Sequence, residues 1–425
     1  MKTTQMELPI NRTIVLPIDS KEYNQIIDNK SLFKTKLNFL QHKYPEIFPI
    51  SMSRGFRFVG YSKNDKKLSV SRRIIRIKNA LNSYEDYLLH PCFILPYLRG
   101  STIEIAKGLL LRKYNTPYHA ISSVLGKNAM FWYRAEIALA QYNLVGTTVK
   151  KVNFLPLNLL IDEHHTKLGN EKIYLCTTVG NNCFLGVGIS STMHWENLKK
   201  AYGYFKVEAL KIMPTYKPQS VNIDGYKSTK KAATELYNNT PILRCFLHSF
   251  IKIRSCGTKA YDLYFEQVAT RVWHCYTAEN KRSFAQRISN LRQWTEQVIP
   301  NSPFKNAILK LCEKKEFMAH YDYSEGKRTS NMLDRLMKYQ DRRLYATQDF
   351  HGTLHSAQEA IRAHALLVNF CPFSPQTIDK KENIHSPFEQ LNGFCYRENW
   401  LENLLVAGSL GGNRPFSHNE NNIYF

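Results

Sequence analysis

Between residues 155 and 254 the apolar positions change period repeatedly, and each change predicts an element. LPLNLLIDEHHTK, residues 155–167, is an apolar run that stops at Asp162. KIYLCTTVG (172–180) and CFLGVGIS (183–190) are short runs rich in β-branched and aromatic residues, with Gly and Asn between them. Runs of this kind read as strands. HWENLKKAYGYFKVEALKIM (194–213) places apolar residues near helical spacing, and Pro214 and Pro218 punctuate its end. SVNIDGYKS (220–228) is another strand, stopping at Asp224, STKKAATELYNN a helix, and ILRCFLHSFI (242–251) the last strand. Three strands, helix, strand, helix, strand predicts an α/β fold.

The flanking sequence is mostly helical. KEYNQIIDNKSLFKTKLNFLQHKYPEIFP (21–49) reads as helix ending at prolines. Residues 53–80 read as a hairpin, with FRFVGY and LSVSRRIIRIK as strands and SKNDKK as the turn. Residues 102–143 divide into three helices, split at Asn115-Thr116-Pro117 and at Gly126. Two helices joined by a short Gly-containing turn form a helix-turn-helix pattern. Its recognition helix would start near Lys127, so Lys127, Asn128 and Arg134 are candidates for DNA contacts. Met130, Phe131 and Trp132 could equally be core, and a three-helix bundle without a DNA role fits the same pattern. Residues 258–318 are helical with a break at PNSPF; Trp273, His274 and Trp294 could contact DNA ends or a flipped base, against the plainer reading of both tryptophans as buried helix-packing residues. Residues 329–343 form a helix capped by Ser330 or Asn331, and 356–370 form another. From Cys371 the composition turns to Pro, Asn and Gly, with one short helix at 396–408 and a polar end expected to be disordered.

Charge narrows the partners. The 425 residues carry 58 Lys+Arg against 35 Asp+Glu, a net charge of +23. Residues 1–150 hold 23 basic and 10 acidic residues, a balance of +13, so the first third is the more basic per residue. A polyanion, nucleic acid first, is the implied partner. Arg72, Arg73 and Arg76 in the basic hairpin are candidates for phosphate contacts. No apolar run approaches the roughly 20 residues of a membrane span, and MKTTQMELPI has no apolar signal core. The nine cysteines include no C-x-x-C pair and are expected to be reduced, which suits the cytoplasm.

Candidate chemistry lies at the strand ends. Asp162 and Asp224 each close an apolar strand, and two adjacent strands would bring both carboxylates within reach of one divalent cation. The bland alternative is that both are turn residues capping strands. On the 329–343 helix, Asp334, Lys338 and Arg342 fall four apart on one face, which could hold a metal and DNA phosphates or could be a solvated ion-pair face.

This element order, with acids ending the first and fourth strands, resembles the ribonuclease H-like fold of DDE/DDD transposases and integrases. Cys245-Phe246-Leu247-His248 after the second acid is similar to the C-x-x-H of Mutator-type and related bacterial insertion-sequence transposases. TSNMLDR (329–335) resembles their Thr-(Thr/Ser)-Asn-x-x-Glu-Arg, with Asp334 where Glu is usual. The resemblance covers about 155–370. It implies a mixed sheet with an all-helical insertion, preceded by a basic region with a helix-turn-helix. The corresponding units are a basic region at 1–100, a helix-turn-helix at 101–150, a catalytic domain at 151–257 and 326–372, an insertion at 258–325 and a tail at 373–425. It implies two Mg²⁺ (or Mn²⁺) ions held by Asp162, Asp224 and Asp334, with His248 beside them. Glu325 and Asp341 remain alternatives to Asp334. The implied activity is cleavage at element ends and strand transfer into target DNA, by a dimer or higher multimer acting on double-stranded DNA at terminal inverted repeats in the nucleoid. A nuclease or resolvase on the same fold, or a non-catalytic DNA-binding relative, are the competing expectations.

Overall fold

The computed structural model describes residues 11–62, 70–96, 100–257, 261–313, 315–323 and 329–413. Most of the hairpin turn, Glu325 and the polar end from 414 lie outside them. The chain opens with β1 (Thr13–Leu16), then α1 (Ser20–Ile26) and α2 (Lys30–Lys43), whose caps Asp19 and Asn29 accept first-turn N–H groups. β2 (Phe56–Tyr61), β3 (Arg73–Lys78) and β4 (Tyr84–Pro91) complete a sheet ordered β1-β4-β3-β2. β1 runs parallel to β4 and the other pairs are antiparallel. The expected hairpin is therefore β2–β3 within a larger sheet. β1 and β4 escape the sequence pattern because TIVL is short and, like YEDYLLHP, does not alternate.

Three helices follow, α3 (Thr102–Lys113), α4 (Tyr118–Leu125) and α5 (Ala129–Ile137), broken where Pro117 and Gly126 predict. Trp132 of α5 is buried, and its indole N–H donates to the Gly126 carbonyl at 3.0 Å, closing the α4–α5 turn. Its ring lies against Gly108, where a Cβ would fall 2.2 Å from the indole. Gly108→Ala should therefore lower stability by about 1–3 kcal/mol, measured by thermal denaturation; an unchanged melting temperature would mean the ring can move aside.

After α6 (Leu144–Thr148) comes the second sheet. β5 (Asn158–Leu168), β6 (Glu171–Gly180) and β7 (Cys183–Ser190) are antiparallel; α7 (Trp195–Ile212), β8 (Ser220–Ile223), α8 (Lys227–Leu236) and β9 (Ile242–Arg244) follow. The order is β7-β6-β5-β8-β9, with β5, β8 and β9 parallel. Two boundaries differ from the sequence pattern. β5 does not stop at Asp162 but continues to Leu168, because β6 pairs with it throughout; Asp162 instead marks where pairing with β8, residues 158–160, has ended. The last strand is three residues long. Cys245 caps a helix, α9 (Phe246–Cys256), because Phe246, Phe250 and Ile253 recur at i, i+4 and i+7 and bury against the helices that follow.

Those helices, α10 (Asp262–Tyr276), α11 (Lys281–Val298) and α12 (Pro303–Cys312), have an apolar core of their own. Trp273 packs on Phe246, Phe250 and Tyr276, and Arg271 stacks on Trp294 at 4.5 Å. α13 (Asn331–Thr347) returns to the sheet, and α14 (Leu354–Phe370) is buried nearly all round against β7, α3, α5 and their neighbours. The chain beyond Cys371 is more than a tail. α15 (Pro375–Lys380) and α16 (Pro387–Asn392) lead to α17 (Trp400–Ala407), which is apolar on most faces and buried from Leu401 to Ala407. One continuous core joins the first sheet, the three-helix unit, β5–β7, α13, α14 and α17, while α7 and α8 cover the other face of the second sheet. No described helix is long and apolar enough to cross a membrane, and the described cysteines are free thiols.

Candidate metal centre

Strand alternation and helix phase bring the predicted acids together. Asp162 leaves β5 just past the β8 pairing, Asp224 follows the last residue of β8, and Asp334 lies in the first turn of α13. Ligand atoms of Asp162, His248 and Asp334 lie within 4.8 Å of one another, and so do those of Asp162, Glu163 and Asp224. Asp162 belongs to both groups. Either could hold a divalent cation.

Glu163 was not among the candidates. The signal was its adjacency to Asp162, but neighbouring strand residues point to opposite faces, so a second acid there reads as solvent-facing. The tertiary fold decides otherwise: α7 and α8 cover that face. Tyr202 donates to Glu163 Oε1 at 2.8 Å and Thr229 donates to it at 2.6 Å. Burial pushes the Glu163 carboxyl up to about 7, and those two hydrogen bonds only partly offset it. Burial, and then the charge of Asp224, pushes Asp162 up to about 7 as well, despite a 2.8 Å bond from the Glu163 amide. Crowded carboxylates are costly to ionise together without a cation.

His248 projects from the first turn of α9, with Nε2 3.9 Å from Asp162 Oδ2. Its hydrogen bond with Cys245, then the Cys245, Asp162 and Asp334 charges, hold it up at about 9 against burial. A protonated imidazole has no lone pair for a metal, so His248 is a ligand only in its neutral form and is otherwise a positive charge beside the acids. The Cys245 thiol is pushed up by burial but brought below its ordinary range by bonds to His248 and Ser330.

Ser330 ties this corner together. Its hydroxyl donates to the Asp334 carboxylate, with Oγ 3.1 and 3.0 Å from the two oxygens, and accepts from the Cys245 thiol at 3.4 Å. The Ser330 amide donates back to Cys245 Sγ at 3.3 Å, and His248 Nδ1 is 3.5 Å from Ser330 Oγ. Aspartate is one methylene shorter than glutamate, and this hydroxyl fixes where its carboxylate lies. Ser330→Ala should weaken Mn²⁺ binding roughly 10- to 100-fold, the usual loss for a group that orients a ligand, with Ser330→Thr retaining it. Electron paramagnetic resonance titration measures this, and equal affinities in all three proteins would remove Ser330 from the centre. Of the alternatives to Asp334, Asp341 is engaged elsewhere, 3.1 Å from His164 Nδ1, and Glu325 lies outside the described residues.

The basic candidates divide. Lys127, Asn128 and Arg134 are exposed at the α4–α5 turn and on α5, with Asn128 Oδ1 capping α5 through the Phe131 amide at 2.7 Å. Lys338 and Arg342 are exposed on α13, four and eight residues past Asp334. Arg72 is half-buried and donates to Ser62 at 3.3 Å. Arg76 is spent on Asp86, to which both Nε and Nη2 donate. Arg73 is corrected outright. It is 1 % exposed, packed on the Phe33, Phe58 and Tyr61 rings, and donates to the Ile27 carbonyl. Its guanidinium is a core group that no phosphate reaches, because the inward positions of β3 alternate and 73 is one of them.

Compared with models of known protein families the chain matches none, and compared with curated proteins it has no significant match.

Proposed function

We infer that this chain is a DNA transposase of the DDE/DDD type, with a ribonuclease H-like catalytic unit built on the second sheet. The observation that carries this is the position of Asp162, shared between two ligand groups at the point where the parallel strands of a mixed sheet part company. Supporting it are the sheet order, an acid directly after β8, an acid in the first turn of a returning helix, and a helical subdomain between them. The C-x-x-H residues also fit, although they open a helix instead of lying on a strand.

Oxygen-rich groups of this composition suit Mg²⁺ or Mn²⁺, and the raised carboxyls of the cation-free protein are those a cation would ionise. Asp224 and Glu163 would hold one ion, Asp334 the other, and Asp162 both. A pair of ions held there would supply the electrostatic stabilisation that a phosphoryl displacement needs. The protein's own part is to orient and to balance charge. Ser330 holds the Asp334 carboxylate, Tyr202 and Thr229 hold Glu163, and the His248 imidazolium presents an N–H to a non-bridging phosphate oxygen. Water attacks the phosphodiester at the element's end and releases a 3′-hydroxyl, which then attacks a phosphodiester of target DNA and displaces the 3′-oxygen of the cut target strand, with no protein-linked intermediate. Lys127, Asn128 and Arg134 on the helix-turn-helix recognise the terminal repeats, and Lys338 and Arg342 meet phosphates beside the site. A homodimer or larger assembly synapses two ends, at the nucleoid.

The test is cleavage and joining of labelled DNA carrying the element's ends, in Mg²⁺ or Mn²⁺. Asp224→Ala and Asp334→Ala should each lower cleavage at least 1,000-fold, on the order of the 4 kcal/mol or more that loss of a principal transition-state group costs, while still shifting DNA on a gel. Cleavage without joining would mark a nuclease; binding of ends without cleavage would mark an inactive relative.

A further inference from the structure

The start of α5 is held in place from behind. Trp132, buried against Gly108, donates its indole N–H to the Gly126 carbonyl at 3.0 Å, and Ser122 Oγ donates to the Lys127 carbonyl at 2.6 Å. Asn128 Oδ1 accepts the Phe131 amide at 2.7 Å. The outer side of this fixed turn carries Lys127, Met130 and Arg134, all exposed. Met130 and Arg134, four apart, lie on one side of the helix. Met130 is 52 % exposed, and Val124, just before the turn, is 76 % exposed.

This is an unusual set for a helix that meets base edges. Reading adenine takes a side-chain amide that offers an acceptor and a donor together. The one amide in residues 127–137 is Asn128, and its acceptor oxygen is committed to the cap. The one acid there, Glu136, is buried between Arg112 and Arg343, so no carboxylate is presented to cytosine. What an exposed methionine and valine match is the one apolar group that base pairs display in the major groove, the 5-methyl of thymine. The cations are placed for the rims of that groove. From Lys127 to Arg134 is seven residues, about 10 Å along a helix. The groove is roughly 12 Å wide. Charge favours DNA over a protein partner here, since the two cations flank the apolar pair and residues 1–150 hold 23 basic residues against 10 acidic.

We propose that Met130, with Val124 across the turn, reads the 5-methyl groups of thymine in the major groove, while Lys127 and Arg134 hold the phosphates on either side. This rests on the reading of α4 and α5 as the DNA-contacting unit, and it names what that unit selects: duplexes with thymine under the start of α5, recognised by an apolar contact in place of paired hydrogen bonds.

The experiment is competition against a fluorescein-labelled duplex, followed by anisotropy with the full chain. The competitors are poly(dA-dT) against poly(dA-dU), and poly(dG-dC) against the same polymer carrying 5-methylcytosine. Within each pair the charge and the Watson–Crick pairing are identical, so the salt-dependent phosphate attraction cancels and only the methyl differs. The methylated member should compete about fourfold better in each pair, the worth of one methyl-sized group removed from water. Met130→Ala with Val124→Ala should remove that difference, whereas Arg134→Ala should weaken all four polymers alike and keep it. Both apolar residues are exposed, and an unchanged melting temperature shows that their replacement leaves the fold intact. Equal competition within both pairs by the wild type overturns the inference, as does a difference that survives the double replacement. So does equal competition together with self-association in sedimentation that Met130→Ala abolishes, which would mark the patch as a contact between copies of the chain. Mg²⁺-dependent DNA cleavage is assayed on the same preparation. Equal competition with active cleavage removes the methyl reading alone, and methyl preference without cleavage removes the catalytic reading alone.

Discussion

Asp162→Asn raises the melting temperature of the cation-free protein at pH 8 by several degrees and abolishes its response to Mn²⁺. Burial and the Asp224 charge move this carboxyl from 3.8 to about 7 in the folded protein. Below about pH 4 it is protonated whether the chain is folded or not. Between about pH 4 and 7 the folded form holds a proton that the unfolded form has lost, so stability falls as pH rises through that window. Above it the folded protein carries the full penalty, on the order of a few kcal/mol. Glu163, moved from 4.5 to about 7, acts with the same sign. The charge of His248, 3.9 Å away, lowers this shift without cancelling it. Asparagine removes the charge and with it the penalty. In the wild type, divalent cations should do the same by pairing with the ionised acids, so Mn²⁺ should raise the melting temperature at pH 8 far more than at pH 5. Thermal denaturation at both pH values, with and without Mn²⁺, decides it. A wild type that is more stable at pH 8 than at pH 5 and indifferent to Mn²⁺ would contradict the crowding of these acids.

Glu136→Ala is expected to destabilise the protein by about 3–5 kcal/mol, the cost of leaving buried cations without their anion. Glu136 is fully buried on α5. Arg112 Nε of α3 donates to Oε2 at 2.8 Å, Tyr118 of α4 donates to the same oxygen at 2.7 Å, and Arg343 of α13 donates to Oε1. His364 of α14 completes the contact, its Nδ1 3.3 Å from Arg343 Nη1. Burial pushes the Glu136 carboxyl up, but the two guanidiniums more than offset it and hold it at about 2. Burial, with the Arg343 charge beside it, depresses His364 to about 3, so it adds no third cation. One anion thus joins all three helices of the DNA-reading candidate to the helix that carries Asp334. Denaturant unfolding of Glu136→Ala and Glu136→Gln measures the effect. Glutamine keeps the shape and loses the charge, so a similar loss in both assigns it to charge, and wild-type stability in either would mean that water reaches the guanidiniums.

The amino-acid pattern alone determined what depends on neighbours in sequence. Periods of two and of 3.6, broken by Pro and Gly, located β5 to β8, α3 to α5, the helical insertion and α13. Apolar runs meeting an acid marked Asp162 and Asp224, while Asp334 was marked by the resemblance of TSNMLDR to a transposase motif. Tertiary structure decided what depends on the other side of a contact. β1 and β4 were fixed by pairing with each other, and α9 by a helical core that accepts Phe246 and Ile253. α17 is in the interior because its apolar faces have α3, α14 and β1 to meet. Basic residues that look alike in sequence parted by strand face, Arg73 inward among aromatic rings and Arg76 outward onto Asp86. Glu163 became a fourth acid because α7 and α8 cover it, and Ser330 became the support of Asp334 because Cys245 and His248 arrive from a distant helix. Secondary structure is written in local hydrogen-bonding and side-chain period; burial, ionisation and the company a side chain keeps are properties of the assembled chain.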